Sequence, residues 1–140
     1  MNSTVDIPAM QRADAEAFDV IIIGAGLSGI GTAVRLQRDC PDRDFILLER
    51  REAIGGTWDL FRYPGIRSDS DMHTLGYDFK PWEAEKSIAD GPSILSYVNE
   101  TADEHRLRER IRFSQKLLAA DWCSERSQWQ LTVETPGGVR

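Results

Sequence analysis

The chain has 140 residues, 41% of them hydrophobic, and its 17 basic and 23 acidic residues give a net charge of −6. This length and apolar content suit about one domain with a single core. The acidic balance argues against a nucleic-acid-binding surface, which requires a basic stripe. The arginine-rich stretch from Arg106 to Arg112 also carries Glu109 and follows Asp103 and Glu104, as expected of a solvated helix end.

The start of the chain, residues 1–17, is polar and acidic and predicts a disordered leader before a domain over residues 18–140. It lacks the apolar segment of a secretory signal, so the cytoplasm is the expected compartment and Cys40 and Cys123 are expected to be thiols. The longest apolar run, Val20 to Ile23, is too short to span a bilayer, which takes about 20 residues. Peripheral attachment to a membrane stays open.

A β-α-β pattern opens the domain. Phe18 to Ile23 is a β-branched run typical of a buried parallel strand, and Phe45 to Leu48 is a second one. Between them, apolar residues from Leu27 to about Arg38 recur at helical spacing. The unit has the length of one crossover connection, about thirty residues. The chain is therefore placed in the α/β class.

The remaining elements are less regular. Gly55 to Pro81 predicts a long irregular loop crowded with aromatic residues, a kind of segment that is often functional. Ser93 is predicted to cap a helix, because an apolar stripe at helical spacing follows it. Arg112 to Trp122 and Trp129 to Val133 are predicted to form a β-hairpin around the polar turn Ser124 to Gln128.

The first strand and helix meet at a glycine turn, Gly24-Ala25-Gly26-Leu27-Ser28-Gly29. In a GxGxxG turn at this position, Gly24 permits the tight bend, Gly26 lets the backbone approach a pyrophosphate, and Gly29 lets helix and strand pack closely. The helix N-terminus favours phosphate, and Ser28 adds a hydroxyl donor. The alternative is an ordinary strand–helix turn that happens to be rich in glycine.

Glu49 follows twenty residues after Gly29, at the end of the second strand. A carboxylate there accepts hydrogen bonds from both ribose hydroxyls of an adenosine and repels a 2′-phosphate, which favours FAD or NAD over NADP. Arg50 and Arg51 argue the other way, since an arginine here accommodates a 2′-phosphate. The strand-end position of Glu49 carries more weight.

A second glycine pair, Gly55-Gly56, comes six and seven residues after the acid. It again lets bare backbone approach a ligand, and Thr57 offers a hydroxyl group beside it. A plain dehydrogenase usually moves from the acid into another helix, so this pair favours FAD. Trp58 has two equal interpretations, as core packing and as a cofactor contact.

Together with Arg62 to Asp69, these motifs resemble the N-terminus of flavin-dependent monooxygenases. The stretch GGTWDLFRYPGIRSDSDM, Gly55 to Met72, is most similar to the Baeyer–Villiger type and to the subgroup that includes the ethionamide-activating monooxygenase. The resemblance covers roughly Asp19 to Val133. It implies a Rossmann-like FAD-binding βαβ unit with an irregular aromatic loop, a helical segment and a C-terminal β-hairpin, incomplete relative to the family's two dinucleotide domains.

The resemblance also implies roles for single residues. The glycine turn with Ser28 would hold the FAD pyrophosphate, and Glu49 the adenosine ribose. Leu117 would offer its backbone to the adenine, although the family often carries Val there. The residues that would line the FAD from its pyrophosphate to its ribityl chain are Gly56, Thr57, Trp58, Asp59 and Leu60.

The later loop would supply the catalytic residue. Asp69 would lie beside the flavin, and Arg67, Ser68 and Asp69 would border the nicotinamide cofactor. From the residues alone, Asp69 has two interpretations: a carboxylate that orients a cationic partner in a catalytic site, or a loop residue that caps its own turn. The resemblance favours the first. The sequence predicts no metal site, because neither cysteine has a ligand partner at short spacing.

By the same resemblance, the parent enzyme uses NADPH to reduce FAD, and the reduced flavin binds O₂ as a peroxyflavin. That species inserts one oxygen atom into a ketone or oxidises a sulfur or nitrogen heteroatom of a small molecule such as a thioether, chemistry that belongs to the cofactor. The family's second glycine turn, for NADPH, does not occur in these 140 residues. We therefore expect the chain to be the front part of a longer enzyme and to be inactive alone.

Two alternatives remain at this point. A flavin disulfide reductase or amine oxidase shares the first glycine turn, but a reductase carries a cysteine pair soon after the second glycine pair, and none occurs there. A non-catalytic remnant that at most binds FAD or an adenine nucleotide is the second alternative, and the single dinucleotide motif favours it for this polypeptide.

Overall fold

The computed structural model describes residues 15–140, so the leader predicted over residues 1–17 lies almost entirely outside the described residues. The described chain contains two small sheets and a set of helices. In chain order the elements are β1 (Val20–Ile23), α1 (Leu27–Asp39), β2 (Phe45–Leu48), α2 (Thr57–Leu60), α3 (Met72–Leu75), α4 (Gly91–Glu104), a 3₁₀ helix (Leu107–Arg110), β3 (Ile111–Arg112), β4 (Lys116–Cys123), β5 (Gln128–Thr135) and β6 (Gly138–Val139).

The first sheet is parallel, with the strand order β1-β2-β3. Ile21 lies opposite Ile46, and Leu47 lies opposite Ile111. Helix α1 makes the crossover from β1 to β2, which confirms the predicted β-α-β unit. Strand β1 begins at Val20 rather than at Phe18. The Phe18 side chain packs against the cluster of Ile46, Leu48 and Val133.

The main core lies between this sheet and the helices α1 and α4. The apolar stripe of each helix faces it, as helical spacing requires. Strand β2 is buried on both faces, because the helices cover one face and the second sheet covers the other. This explains its unbroken apolar sequence. The largest fully buried side chains are Ile30, Val34, Phe45, Leu47, Met72, Ile94, Val98, Thr101 and Leu107.

The second sheet is antiparallel, with the order β4-β5-β6, and its hairpin confirms the predicted pair of C-terminal strands. The predicted first strand, Arg112 to Trp122, is wrong as one element. Arg112 ends β3 in the parallel sheet, where it lies opposite Leu48. Ser114, at φ +54°, breaks the extended backbone, and its N–H donates to the Arg51 carbonyl at 3.0 Å. The next strand then starts in the other sheet.

Helix α4 begins before the predicted cap. The Asp90 side chain, not that of Ser93, caps the helix: its carboxylate accepts the Ser93 N–H at 2.8 Å. Pro92 then occupies the first turn, where its missing N–H costs nothing. The prediction of Ser93 was wrong because the segment offers two eligible caps, and Pro92 decides between them.

The loop predicted as irregular, Gly55 to Pro81, contains the one-turn helices α2 and α3. Within it the Tyr77 ring stacks between Phe79 and Tyr97, with ring centroids 4.8 and 5.4 Å away. The Tyr77 hydroxyl donates to the Leu27 carbonyl at the start of α1, and burial raises the Tyr77 pKa well above its usual range, so this donor stays protonated. The aromatic loop is thereby tied to the first glycine turn.

Candidate functional site

The first glycine turn has the geometry that its sequence predicts. Gly24 adopts φ +97°, and its N–H donates to the Leu48 carbonyl at 2.8 Å, which fixes the turn to β2. A Cβ atom at Gly29 would lie 2.0 Å from the Gly24 carbonyl oxygen, so only glycine fits where the helix crosses the strand. Gly26 makes no side-chain cap on α1, which leaves the N–H groups of the first helical turn available to a ligand.

The second glycine pair lies directly against the first turn. The Gly55 N–H donates to the Ala25 carbonyl at 3.0 Å. A Cβ atom at Gly56 would lie 3.0 Å from the Gly26 Cα, and Gly56 adopts φ +55°. The two turns therefore approach each other through bare backbone. We call residues 24–29 together with residues 55–58 the glycine cradle.

The cradle encloses a cleft of about 270 Å³. Seven of the predicted cofactor-binding residues line it, together with Gly55 of the second glycine pair and two apolar neighbours that the sequence analysis did not assign to the site. The complete lining is Ile23, Gly24, Gly26, Leu27, Ser28, Gly29, Gly55, Gly56, Thr57 and Trp58. Trp58 also packs on the main core, so both interpretations of this side chain apply. The cleft brings the N-terminus of α1 and a second, glycine-bearing backbone segment to one place.

Glu49 is fixed against the cradle. Its side chain is buried, and its Oε2 accepts the Ala25 N–H at 2.9 Å while its Oε1 accepts the Arg51 N–H at 2.9 Å. Each carboxylate oxygen offers more than one acceptor site, so both keep the capacity to accept a further hydrogen bond. The acid predicted to hold a ribose is thus tied by one hydrogen bond to the turn predicted to hold the pyrophosphate.

These residues fit the phosphate and ribose groups of a dinucleotide. A pyrophosphate requires close backbone approach and unpaired N–H donors, and the cradle provides both at positions where a Cβ atom would intrude. The ribose hydroxyls require an acceptor that is held in place, which Glu49 provides. Among the described residues, no group of three or more metal-ligating side chains meets, and no helix is long and apolar enough to cross a membrane.

Two further predicted residues lie next to the cradle but outside the lining of the cleft. Asp59 is buried, and its carboxylate pairs with the guanidinium groups of Arg51 and Arg62, each at 2.6 Å. Leu60 is exposed at the end of α2. Sequence reasoning missed the pairing with Arg51 and Arg62, because an ion pair over an irregular loop leaves no periodic signal.

The predicted catalytic loop lies apart from the lining of the cleft. Gly65, at φ +80°, completes a turn that the Ile66 N–H closes onto Tyr63, which is the pattern of a type II turn. Arg67 and Asp69 on this loop are exposed, and Ser68 is buried.

Backbone hydrogen bonds fix this loop to the start of α4. The Ser68 N–H donates to the Ala89 carbonyl, and the Gly91 N–H donates to the Ile66 carbonyl, each at 2.9 Å. The turn-capping carboxylate of the region is Asp71, which accepts hydrogen bonds from the hydroxyl and the backbone N–H of Thr74; these hydrogen bonds lower the Asp71 pKa. The role of Asp69 beside a flavin stays a prediction.

Leu117 lies in β4, away from the cradle. Its side chain belongs to a small cluster with Leu131 and Val133 that packs on Ile46 and Leu48 of β2. This contact holds the second sheet on the outer face of the parallel sheet. Its predicted backbone contact with adenine also stays a prediction.

Comparison with known proteins agrees with this geometry. Residues 22–84 match the model of the NAD(P)-binding Rossmann-like domain. The FAD-containing monooxygenase EthA of Mycolicibacterium smegmatis is 58% identical over 122 residues, which is 87% of this chain and 25% of that protein. The chain thus spans about a quarter of the length of the curated relatives it matches.

Solved structures of monooxygenases share the fold of most of this chain. Oxidized steroid monooxygenase bound to NADP superposes with a TM-score of 0.77 at 31% identity, over 88% of this chain and 24% of that chain. OTEMO in complex with FAD and NADP superposes with a TM-score of 0.75 at 32% identity, over 86% of this chain and 24% of that chain. By sequence and by fold, the chain is similar to the N-terminal part of FAD-containing monooxygenases of the Baeyer–Villiger type.

Proposed function

We propose that the cleft of the glycine cradle binds FAD, and that this chain is the N-terminal portion of an NADPH- and FAD-dependent monooxygenase. The observation that carries the proposal is the approach of Gly26 and Gly56, 3.0 Å from a Cβ atom built on Gly56 to the Gly26 Cα, beside an uncapped helix N-terminus. A strand–helix turn with only a packing role needs no second glycine turn against it.

Each part of the site has a role in this proposal. The α1 N-terminus and the Ser28 hydroxyl bind the pyrophosphate, while Glu49 accepts hydrogen bonds from the adenosine ribose. Thr57 and Trp58 border the chain that leads to the flavin. Leu117 presents its backbone to the adenine.

The loop with Arg67, Ser68 and Asp69 serves the chemistry of the complete enzyme. In the proposal it borders the flavin and the nicotinamide of NADPH, and the Asp69 carboxylate orients a cationic partner there. The exposure of Arg67 and Asp69 supports this role, because both side chains are free to contact a cofactor or another part of the protein.

The activity that we propose for the complete enzyme is the insertion of one oxygen atom from O₂ into a ketone, or the oxidation of sulfur or nitrogen in a small molecule. FAD, when bound, supplies the oxygen chemistry, and the protein supplies binding and orientation. We place the enzyme in the cytoplasm, with peripheral contact to a membrane left open. The names of the monooxygenase relatives support the reaction class.

Retention of FAD by the 140-residue chain tests the proposal. The purified chain is incubated with FAD, separated by gel filtration, and the flavin in the protein peak is measured by absorbance. We expect about one FAD per chain. A folded chain that elutes without flavin contradicts the FAD site and favours the alternative, a remnant without a functional cofactor site.

A second measurement tests the reaction class. A complete enzyme with this N-terminal sequence is expected to consume O₂ in an NADPH-dependent manner and to add oxygen to a ketone or a thioether. An enzyme that binds FAD but oxidises NADPH without oxygenating either substrate class contradicts the proposed monooxygenase activity.

A further inference from the structure

Asp59 is a buried carboxylate shared by two guanidinium groups. Its side chain is 6% exposed, and its Oδ2 and Oδ1 lie 2.6 Å from Nη2 of Arg51 and Nη2 of Arg62, respectively. Arg62 also donates from Nε to the Asp59 carbonyl at 2.9 Å. A buried carboxylate is stable only when it is paired and hydrogen-bonded, and here every oxygen of Asp59 faces an arginine.

Arg51 joins this ion pair to both halves of the site. Its backbone N–H donates to the Glu49 carboxylate at 2.9 Å, and its guanidinium Nη1 lies 3.5 Å from the carbonyl of Gly56 in the cradle. Its side chain is 30% exposed, against 71% for Arg62. Arg51 therefore contacts the acid that is predicted to bind the ribose through its backbone N–H, and the second glycine turn through its guanidinium.

An arginine in this position is the residue that accepts a 2′-phosphate in dinucleotide sites that prefer NADP. A ribose bound by Glu49 would place its 2′ position near Arg51, because the Arg51 backbone is bound to the same carboxylate. In this chain, however, the Arg51 guanidinium is already paired with Asp59. Asp59 compensates part of its charge, and the contact with the Gly56 carbonyl directs the guanidinium toward the cradle.

We propose that Asp59 is a specificity-determining residue, which holds the Arg51 guanidinium against the cradle and denies it to a ribose 2′-phosphate. The cleft then accepts adenine dinucleotides whose adenosine ribose is unphosphorylated and rejects those that carry the 2′-phosphate. The inference rests on the proposed dinucleotide site and assigns to Asp59 an action through Arg51, whereas the family resemblance implies a direct contact with FAD.

Two other arginines provide controls. Arg62 is the second partner of Asp59, so its removal disturbs the same carboxylate without releasing Arg51. Arg50 is exposed and directly follows Glu49, so it is the competing candidate for contact with a 2′-phosphate. Variants of the two residues separate a specific effect of Arg51 from a general loosening of the loop.

The test compares ADP-ribose with 2′-phospho-ADP-ribose, which differ only in the 2′-phosphate, by calorimetric titration of the 140-residue chain. The wild-type chain is expected to prefer ADP-ribose. Asp59→Asn releases Arg51 and should shift the affinity ratio toward the phosphorylated ligand by about tenfold, the value of a hydrogen bond to a charged group. Arg62→Gln should leave the ratio within about twofold of wild type, a difference well below that of one such hydrogen bond.

The double variants decide which arginine acts. Arg51→Gln added to Asp59→Asn should restore the wild-type ratio, and Arg50→Gln added to it should not. An unchanged ratio in Asp59→Asn overturns the inference. So does a gain that survives removal of Arg51 but disappears on removal of Arg50.

If Asp59→Asn does not fold, the single variant Arg51→Gln tests the inference instead. Because Asp59 already withholds Arg51, this single variant should leave the ratio unchanged. A selective loss of binding of the phosphorylated ligand would show that Arg51 was available to it and would overturn the inference. A wild-type chain that binds neither ligand contradicts the proposed function itself, which distinguishes the two failures.

Discussion

The glycine cradle and the loop from Tyr63 to Asp69 are both short irregular segments, yet they are built differently. In the cradle, backbone contacts backbone: Gly55 bonds to Ala25, and no space remains for a side chain between Gly26 and Gly56. The loop touches its neighbours through a few backbone hydrogen bonds near Ser68, and its charged side chains face outward.

In the proposed site, this difference separates two tasks. The cradle would bind its ligand through main-chain groups whose positions are part of the fold, so these groups cannot move without disturbing the core. The loop carries side chains whose removal leaves the core intact, which suits residues that act on a second cofactor or substrate. Binding and chemistry should therefore respond to mutation in different ways.

The largest expected effect comes from Gly29→Ala. The new Cβ would meet the Gly24 carbonyl oxygen at 2.0 Å, so helix α1 and strand β1 must separate. We expect the free energy of unfolding to fall by at least about 3 kcal/mol, the upper range for overpacking. Urea denaturation followed by circular dichroism measures this value.

Glycines outside the cradle provide matched controls for that variant. The new Cβ of Gly65→Ala in the loop would lie in open space. The variant should therefore lower the free energy of unfolding only by the strain of a non-glycine residue at φ +80°, about 1 to 2 kcal/mol. Gly137→Ala, with ordinary φ and only the Thr135 hydroxyl oxygen near, 3.8 Å away, should change stability by less than about 0.5 kcal/mol. Equal costs for Gly29→Ala and Gly65→Ala would erase the distinction between cradle and loop.

Gly56→Ala is expected to act mainly on ligand affinity. Its Cβ would approach the Gly26 Cα at 3.0 Å and force the two turns apart at the mouth of the cleft. We expect FAD affinity to fall by about tenfold or more, because a displaced turn loses at least one charged hydrogen bond to the ligand. Titration monitored by flavin fluorescence checks this, and unchanged affinity would remove Gly56 from the site.

Asp90→Ala should destabilise the loop from Tyr63 to Asp69 without changing the structure of the cradle. Asp90 caps α4 and pairs with Arg67 through an isolated β-bridge, so losing the cap weakens the support of the loop. We expect the melting temperature to fall by a few degrees, hydrogen exchange to quicken at the Ser68 amide, and FAD affinity to stay constant. Reduced FAD affinity would contradict the independence of the two regions.

The same cap predicts a pH dependence. The Ser93 N–H, which the Asp90 carboxylate accepts, lowers the Asp90 pKa. The cap therefore stabilises the fold above the ordinary aspartate pKa of about 3.9, and this contribution is lost as the pH falls through the lowered value. Asp90→Asn retains a cap that does not titrate. The melting temperatures of the two proteins, measured as a function of pH, should therefore agree near neutral pH and differ at acidic pH.

The smallest expected effect is that of Asp69→Asn. Because Asp69 is exposed and lies outside the lining of the cleft, the variant should change the free energy of unfolding by less than about 0.5 kcal/mol. FAD affinity of the 140-residue chain should stay as in wild type, whereas turnover of the complete enzyme should fall. Steady-state kinetics beside a FAD titration measures both, and a loss of FAD affinity would show that Asp69 contributes to the affinity for FAD and does not act in turnover alone.

Sequence reasoning predicted the cradle better than its surroundings, for a physical reason. A glycine turn between a strand and a helix is a local signal, and the bounds of β2 were predicted correctly because an apolar run ends at Glu49. The break at Ser114 could not be predicted, since long-range hydrogen bonds to the end of β2 determine it. The two one-turn helices are too short to give a periodic pattern.

The ion pairs of Asp59 show the same limit. Arg51 is separated from Asp59 by a turn whose direction depends on the positive φ of Gly55 and Gly56, and Arg62 reaches Asp59 across the end of the one-turn helix α2. Composition and spacing contain no record of that direction. The position of Asp90 was within reach, in contrast, because a proline is tolerated in the first turn of a helix and not in its interior, so the cap must precede Pro92.

A crystal structure of the 140-residue chain grown with FAD tests the central claim most directly. We predict the FAD pyrophosphate between Gly26 and Gly56, at the N-terminus of α1, with the adenosine ribose hydroxyls within hydrogen-bonding distance of the Glu49 carboxylate. FAD bound at another surface, or a pyrophosphate held away from both glycine turns, would contradict the account.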